Sequence, residues 1–185
     1  GREVYTNVKF PFIKDSDGYY TFDSSKNHVH FNSTNGETIN LYNGSQSIAG
    51  SKTFFPFNKE GDPNTDVHFG MNMGVSFIMP TTGNVNGKDI KFEFSGDDDV
   101  WVFIDNKLVL DLGGIHGVVT GSINLTNGTV DYAGNEYIRD TNDVSINPEL
   151  NLYNLLGKSE SEFRDGGVHT LQIYYLERGA SDSNC

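Results

Sequence analysis

Short apolar or alternating runs, bounded by Gly, Asn, Asp and Ser, dominate the second half of the chain. Val75 to Met79, Ile90 to Phe94, Val100 to Ile104, Lys107 to Leu112 and Thr170 to Leu176 each have the length and pattern of a strand. Asp105-Asn106 separates two of them by a two-residue loop, and both residue types tolerate positive φ, so a hairpin is expected there; Asn86-Gly87 is a second hairpin signal. The first 70 residues are rich in Asn, Ser, Gly and Asp, broken by aromatic stretches such as Val8-Lys9-Phe10 and Tyr19-Tyr20-Thr21-Phe22, which predicts short strands and long loops. Between Asn127 and Gly167 the pattern weakens. Pro148-Glu149-Leu150 through Leu155-Leu156-Gly157 predicts a short helix there, with proline in its first turn and glycine after its end. The expected architecture is all-β: an antiparallel two-sheet β-sandwich with long loops and one short helix in the 127–167 insertion.

Composition narrows this picture in three ways. A length of 185 residues with no internal repeat, low-complexity tract or linker is expected to form one domain, 1–185. Thirteen Phe and nine Tyr beside 21 Gly, with few strong helix formers, favour strands joined by turns. Twenty-five acidic against thirteen basic residues give a net charge of −12, which repels phosphate backbones and anionic membranes and argues against nucleic acid as a partner. The single cysteine, Cys185, precludes a disulfide within the chain. No apolar run reaches the ~20 residues of a membrane-spanning helix, and both ends look like excision points from a longer polypeptide.

The most informative segment runs Phe92-Glu93-Phe94-Ser95-Gly96-Asp97-Asp98-Asp99-Val100-Trp101-Val102-Phe103-Ile104 and on through Asp105-Asn106 to Asp111-Leu112-Gly113-Gly114. Three adjacent carboxylates repel one another unless a cation sits among them, and calcium is the hard cation that takes oxygen ligands alone. Residue types alone leave a cation site and a solvated acidic turn equally open.

Gly96 to Ile104, Asp111-Leu112-Gly113-Gly114-Ile115-His116-Gly117 and Tyr174-Tyr175-Leu176-Glu177-Arg178-Gly179 together resemble the bacterial fibro-slime branch of the protective-antigen type β-sandwich family, across roughly residues 68 to 185. The resemblance implies that Asp97 and Asp98, joined by a cis peptide, chelate a calcium ion that in turn grips sugar hydroxyls. It further implies a second calcium loop after the late strand, Glu177 to Asn184, with Asn184 and Asp182 as side-chain ligands. Asp99, His116, Glu177, Arg178 and Gly179 would then border the ligand. Asp99 departs from the family, in which many members have glycine at that place. The implied function is a calcium-dependent lectin domain of a bacterial cell-surface adhesin, recognising glycans on host or neighbouring cells or in a matrix polysaccharide, beside further domains of the same surface protein. The alternative it leaves is a calcium-stiffened structural module of an extracellular slime or fibre.

Other constellations weigh less. His28 and His30 share a strand face and could recruit His68, His116 or His169 to zinc, but the spacing is generic. Asp62, Asn64 and Asp66 form half an EF-hand loop, with Val67 and Met73 in place of the required glycine and glutamate; Asp15-Ser16-Asp17-Gly18 reads as a turn entering a strand. Trp101 and Phe103 are expected to be core aromatics, and Tyr132, Tyr137 and Tyr153 are candidates for stacking on a sugar. The clustered carboxylates are adjacent rather than flanking a substrate, and no nucleophile elbow, phosphate loop or dinucleotide fingerprint is present, so the chain is not expected to be an enzyme.

Overall fold

The computed structural model describes residues 4–32, 38–48, 51–58, 68–114, 116–133 and 151–178. They fall into two compact units, one of residues 4–69 with Arg178 and one of residues 70–177.

The smaller unit is built from two-stranded ribbons: β1 (Ile13–Lys14) with β2 (Tyr20–Thr21), β3 (Asn27–Asn32) with β4 (Thr38–Asn43), and β5 (Gln46–Ile48) with β6 (Ser51–Thr53). The first ribbon turns at Asp15, whose Oδ1 accepts the N–H groups of Asp17 and Tyr19, each at 2.9 Å. The acidic Asp15–Gly18 stretch is thus a side-chain-mediated turn. Ribbons this short cannot stabilise themselves. What joins them is a chain of rings: Phe10 meets Phe22 at 5.2 Å between centroids, Phe22 meets Phe54 at 5.5 Å, and Phe54 meets Phe69 at 5.9 Å. Phe69 continues to Phe57 at 5.5 Å, and Phe57 to Phe31 at 5.5 Å. Such ring pairs each add about 0.5–1.5 kcal/mol beyond the area they bury.

The larger unit takes up β7 (Phe69–Ile78), which starts at the boundary, then β8 (Asn84–Val85), β9 (Lys88–Asp89), β10 (Lys91–Gly96), β11 (Asp99–Ile104), β12 (Lys107–Asp111), β13 (Val119–Asn124) and β14 (Val130–Ala133). Two short helices, α1 (Leu152–Leu156) and α2 (Glu160–Phe163), lead into β15 (Val168–Glu177). The strands β12-β11-β15-β7 form a four-stranded sheet and β10-β13-β14 a three-stranded one, and the all-β expectation holds.

Both expected hairpins form. Asp105 and Asn106 have φ of 49° and 63°, and Ile104 pairs with Lys107; Asn86 and Gly87 have φ of 53° and 76° between Val85 and Lys88. Positive φ at both central residues gives the turn whose twist matches that of the flanking strands. The helix expected from Pro148 is described from Leu152, with Asn151 as its cap accepting the N–H of Tyr153 at 2.9 Å, and Gly157 closing it at φ 68°. Pro148, Glu149 and Leu150 lie outside the described residues. The sequence pattern did not predict α2, although Ser159 and Glu162 cap it reciprocally, nor β13 and β14.

Period-two alternation buries Val100, Val102 and Ile104 of β11, Ile173 and Tyr175 of β15, and Val119, Gly121 and Ile123 of β13. The two larger sheets approach closely at Gly121, where an added Cβ would lie 2.7 Å from a Leu110 methyl and 3.0 Å from one of Leu112. A glycine in the middle of a strand marks such a contact. Gly121→Val should therefore destabilise the protein by about 1–3 kcal/mol through overpacking. A urea titration should show a lower midpoint with an unchanged slope; an unchanged midpoint would disprove the packing of β13 on β12.

The acidic end of the central sheet as the candidate functional site

The three consecutive aspartates occupy three different environments. β11 and β15 are antiparallel, with Asp99 opposite Leu176 and Val100 opposite Tyr175. One step beyond that register, Asp98 faces Glu177. Asp98 has the parity of Val100 and Val102, and Glu177 that of Ile173 and Tyr175, so both carboxyl groups point toward the inter-sheet core. Asp98 is 5% exposed and Glu177 1%. The Tyr175 hydroxyl donates to Asp98 Oδ2, and its ring sits edge-on to Phe94 at 6.3 Å.

This environment sets the protonation state. Burial, the hydrogen bond with Glu177, and the charges of Glu177 and Asp97 push the Asp98 carboxyl up to about 9, against a smaller downward pull from Tyr175. Asp98 is thus a neutral acid at neutral pH, with Glu177 as a hydrogen-bond partner. Asp99 faces the other way. Its Oδ1 accepts the Gly114 N–H at 2.7 Å, while Asp111 Oδ1 accepts the Gly113 N–H at 2.9 Å. The His116 ring closes the same loop, with Nδ1 2.8 Å from the Gly117 carbonyl and Nε2 2.8 Å from that of Leu112. Asp97 is half-buried and Arg178 exposed; Gly179, Asp182 and Asn184 lie outside the described residues, as do Tyr137 and the Asp62 to Asp66 loop.

A second cluster lies at the opposite end of β11, and the sequence reading overlooked it. Asp105, at the hairpin tip, takes His169 Nδ1 at 2.7 Å and Lys158 Nζ at 3.3 Å on Oδ2, and the Thr170 N–H at 3.0 Å on Oδ1. His169 Nε2 reaches the Phe163 carbonyl at 2.9 Å, and the imidazole packs on the Phe163 ring at 4.3 Å. Burial acts to raise the Asp105 carboxyl. The hydrogen bonds from His169 and Thr170 and the charges beside it outweigh burial and hold it below the usual range. Strand parity was the available signal, because an acid or histidine at an inward position of a mostly apolar strand must find an internal partner.

Several expectations are corrected by this geometry. The Asp97–Asp98 peptide is trans, as is every peptide bond among the described residues. No group of three or more His, Cys, Asp or Glu side chains among the described residues is placed to hold a metal ion, calcium or zinc. The physical reason is that these carboxylates already have internal partners: the Tyr175 hydroxyl for Asp98, a backbone N–H for Asp99. Tyr153 is buried and donates to the carbonyls of Leu125 and Thr126 at 3.1 and 3.0 Å, so its face is not offered to a ligand. Trp101 and Phe103 are half-buried on the outer face of the four-stranded sheet, not in the core.

The chain is 33% identical over 164 residues to protein psiF of Dictyostelium discoideum, a match covering 87% of this chain and 19% of psiF. It is 38% identical over 96 residues to psiB and 58% identical over 57 residues to psiP of the same organism, covering 48% and 31% of this chain and 16% and 7% of those proteins. The chain thus spans about a fifth or less of these curated relatives. No family model matches it, and no solved structure matches it. These relatives are eukaryotic psi proteins, which overturns the resemblance to the bacterial fibro-slime branch and with it the placement on a bacterial cell surface. The calcium-dependent lectin reading, and its calcium-stiffened alternative, fall with that resemblance and with the lack of a metal-holding group among the described residues.

A raised acid and a lowered acid give opposite pH dependences. Above about pH 4 the unfolded chain releases the Asp98 proton while the native state keeps it, so stability falls as pH rises from about 4 to about 9. Asp105 contributes stability that is full above about pH 4 and lost below it. The urea midpoint should therefore peak in mild acid and decline toward pH 9. Asp98→Asn, which keeps a neutral donor and acceptor in place, should flatten the alkaline decline and leave the acid limb intact. Asp98→Ala should cost about 1–3 kcal/mol by stranding buried polar groups. An alkaline limb unchanged in the Asn variant would show that Asp98 is ionised in the native protein.

Proposed function

We propose that this chain is a non-catalytic β module of a longer psi-like protein, and that it contacts neighbouring parts of that protein through the outer face of its four-stranded sheet. The carrying observation is an apolar patch on that face. Trp101 pairs across strands with Tyr174, Phe103 pairs with Leu108, and the Phe103 and Tyr174 rings meet edge-on at 5.5 Å. Directly opposed residues of antiparallel strands share a face. Leu108 is 42% and Tyr174 38% exposed, and contiguous exposed apolar surface of this kind marks contact sites.

Two further observations support the reading. The chain occupies only about a fifth of psiF, so in a protein of that kind most of the polypeptide is available as a partner. The carboxyl groups of Asp98 and Glu177 are closed off from solvent, and Asp98 accepts the Tyr175 hydroxyl, so they offer no substrate access for acid–base chemistry.

Hydroxyl-radical footprinting of this chain alone and of the longer protein that contains it tests the proposal. Tyr174, Leu108 and Phe103 should be modified in the isolated chain and protected at least severalfold in the longer protein, while exposed Val85 on the β8–β9 hairpin is modified equally in both. Equal modification of Tyr174 and Leu108 in the two proteins would refute a contact at this face.

A further inference from the structure

Two consecutive Asn-x-Thr triplets, Asn124-Leu125-Thr126 and Asn127-Gly128-Thr129, lie end to end at the turn between β13 and β14. This triplet is the acceptor pattern for N-linked glycosylation. The folded turn treats the two asparagines differently.

Asn124 is half-buried, and both ends of its amide are in use. Nδ2 donates to Asp89 Oδ2 at 2.8 Å, and Oδ1 accepts the N–H groups of Thr126 and Asn127 at 2.9 and 3.2 Å. These bonds hold the turn and tie it to β9, and a sugar on Nδ2 would have to displace the one to Asp89. Asn127 is exposed. Its Oδ1 folds back to accept the Thr129 N–H at 3.0 Å, and its Nδ2 makes no hydrogen bond among the described residues. Thr129 is also exposed. Between them, Gly128 is dictated by the fold: its φ is +80°, and a Cβ there would lie 2.7 Å from the Tyr153 ring. The turn therefore keeps Asn127 outward whatever becomes of its side chain.

What surrounds Asn127 suits a carbohydrate. A shallow cleft of about 200 Å³ opens beside it, lined by Lys91, Glu93, Ser122, Asn127, Thr129 and Asp131 among others. Amides, hydroxyls and charged groups of both signs present donors and acceptors to the hydroxyls of a first sugar ring.

We infer that Asn127, and not Asn124, is a site of N-linked glycosylation in this chain. The reactant is a lipid-diphosphate-linked oligosaccharide of a eukaryotic secretory compartment. The Asn127 Nδ2 bonds to the anomeric carbon and loses one proton, the carbon–oxygen bond to the diphosphate breaks, and the lipid diphosphate leaves with the electron pair. The inference does not depend on the contact face proposed above.

Expression of the chain behind a secretion leader in a eukaryotic cell, followed by enzymatic deglycosylation in heavy-oxygen water and peptide mass mapping, locates the attachment. The label should fall on Asn127 and not on Asn124. Thr129→Ala, which removes the acceptor pattern while leaving Asn127 in place, should abolish labelling at Asn127, and Asn124→Gln should leave it unchanged. Secreted, folded protein with Asn127 unlabelled, or with the label on Asn124, overturns the assignment.

Discussion

The protonated carboxyl of Asp98, buried against Glu177, is the constraint on which this end of the central sheet depends. The β11–β15 register places the two carboxyl groups face to face between the sheets, where two buried charges of like sign could not both persist. One proton turns that repulsion into a hydrogen bond, and the Tyr175 hydroxyl supplies a second donor to the same carboxyl. Separating the pair would also pull Tyr175 from Phe94, and with it the contact between the two sheets at this end.

The same logic extends to the other acids of the unit, with backbone N–H groups in place of the proton. Asp99 and Asp111 hold consecutive glycines of one loop, and Asp105 holds the Thr170 N–H together with His169. Asp111 closes its bond locally, two residues on, whereas Asp99 and Asp105 tie a strand end to a segment distant in sequence, across 15 and 65 residues. A net charge of −12 is tolerated partly because these groups are used internally rather than crowded on one surface. Within the aspartate run, Asp98 and Asp99 each have the partner their position provides, a hydroxyl and a backbone N–H.

The sequence made the hairpins and the strands around them legible, because Asp105-Asn106 and Asn86-Gly87 encode their turns locally and the flanking runs carry the period of a strand. It did not reveal β13, whose middle residue Gly121 is set by the Leu110 and Leu112 side chains it must admit, a long-range condition that reads locally as a strand breaker. The acidic run was misleading for a related reason. Charge is visible in a sequence and burial is not, so Asp97-Asp98-Asp99 reads as one cluster although alternation sends Asp98 and Asp99 to opposite sides of the sheet. The capping box at Ser159 and Glu162 was readable at a spacing of three, but the four-residue helix it starts is too short to show a periodic apolar face.

Strand parity also separates the outer face of the central sheet from an ordinary solvated one. An antiparallel sheet with one face in water is expected to alternate apolar inward and polar outward. β7 follows that rule at Gly70, whose Cβ direction meets Leu176, and at Asn72, Gly74 and Ser76, all of them small or polar and exposed, but ends at the same parity in Ile78, which is 61% exposed. The neighbouring strands do not follow it. Outward positions on β11, β15 and β12 carry Trp101, Phe103, Tyr174 and Leu108, side by side across the pairing. Cross-strand pairing makes these four residues contiguous on three neighbouring strands, which separates them from the apolar side chains exposed singly elsewhere. Their position on the sheet pinned by Asp98, Glu177 and Asp105 gives the patch a rigid backing.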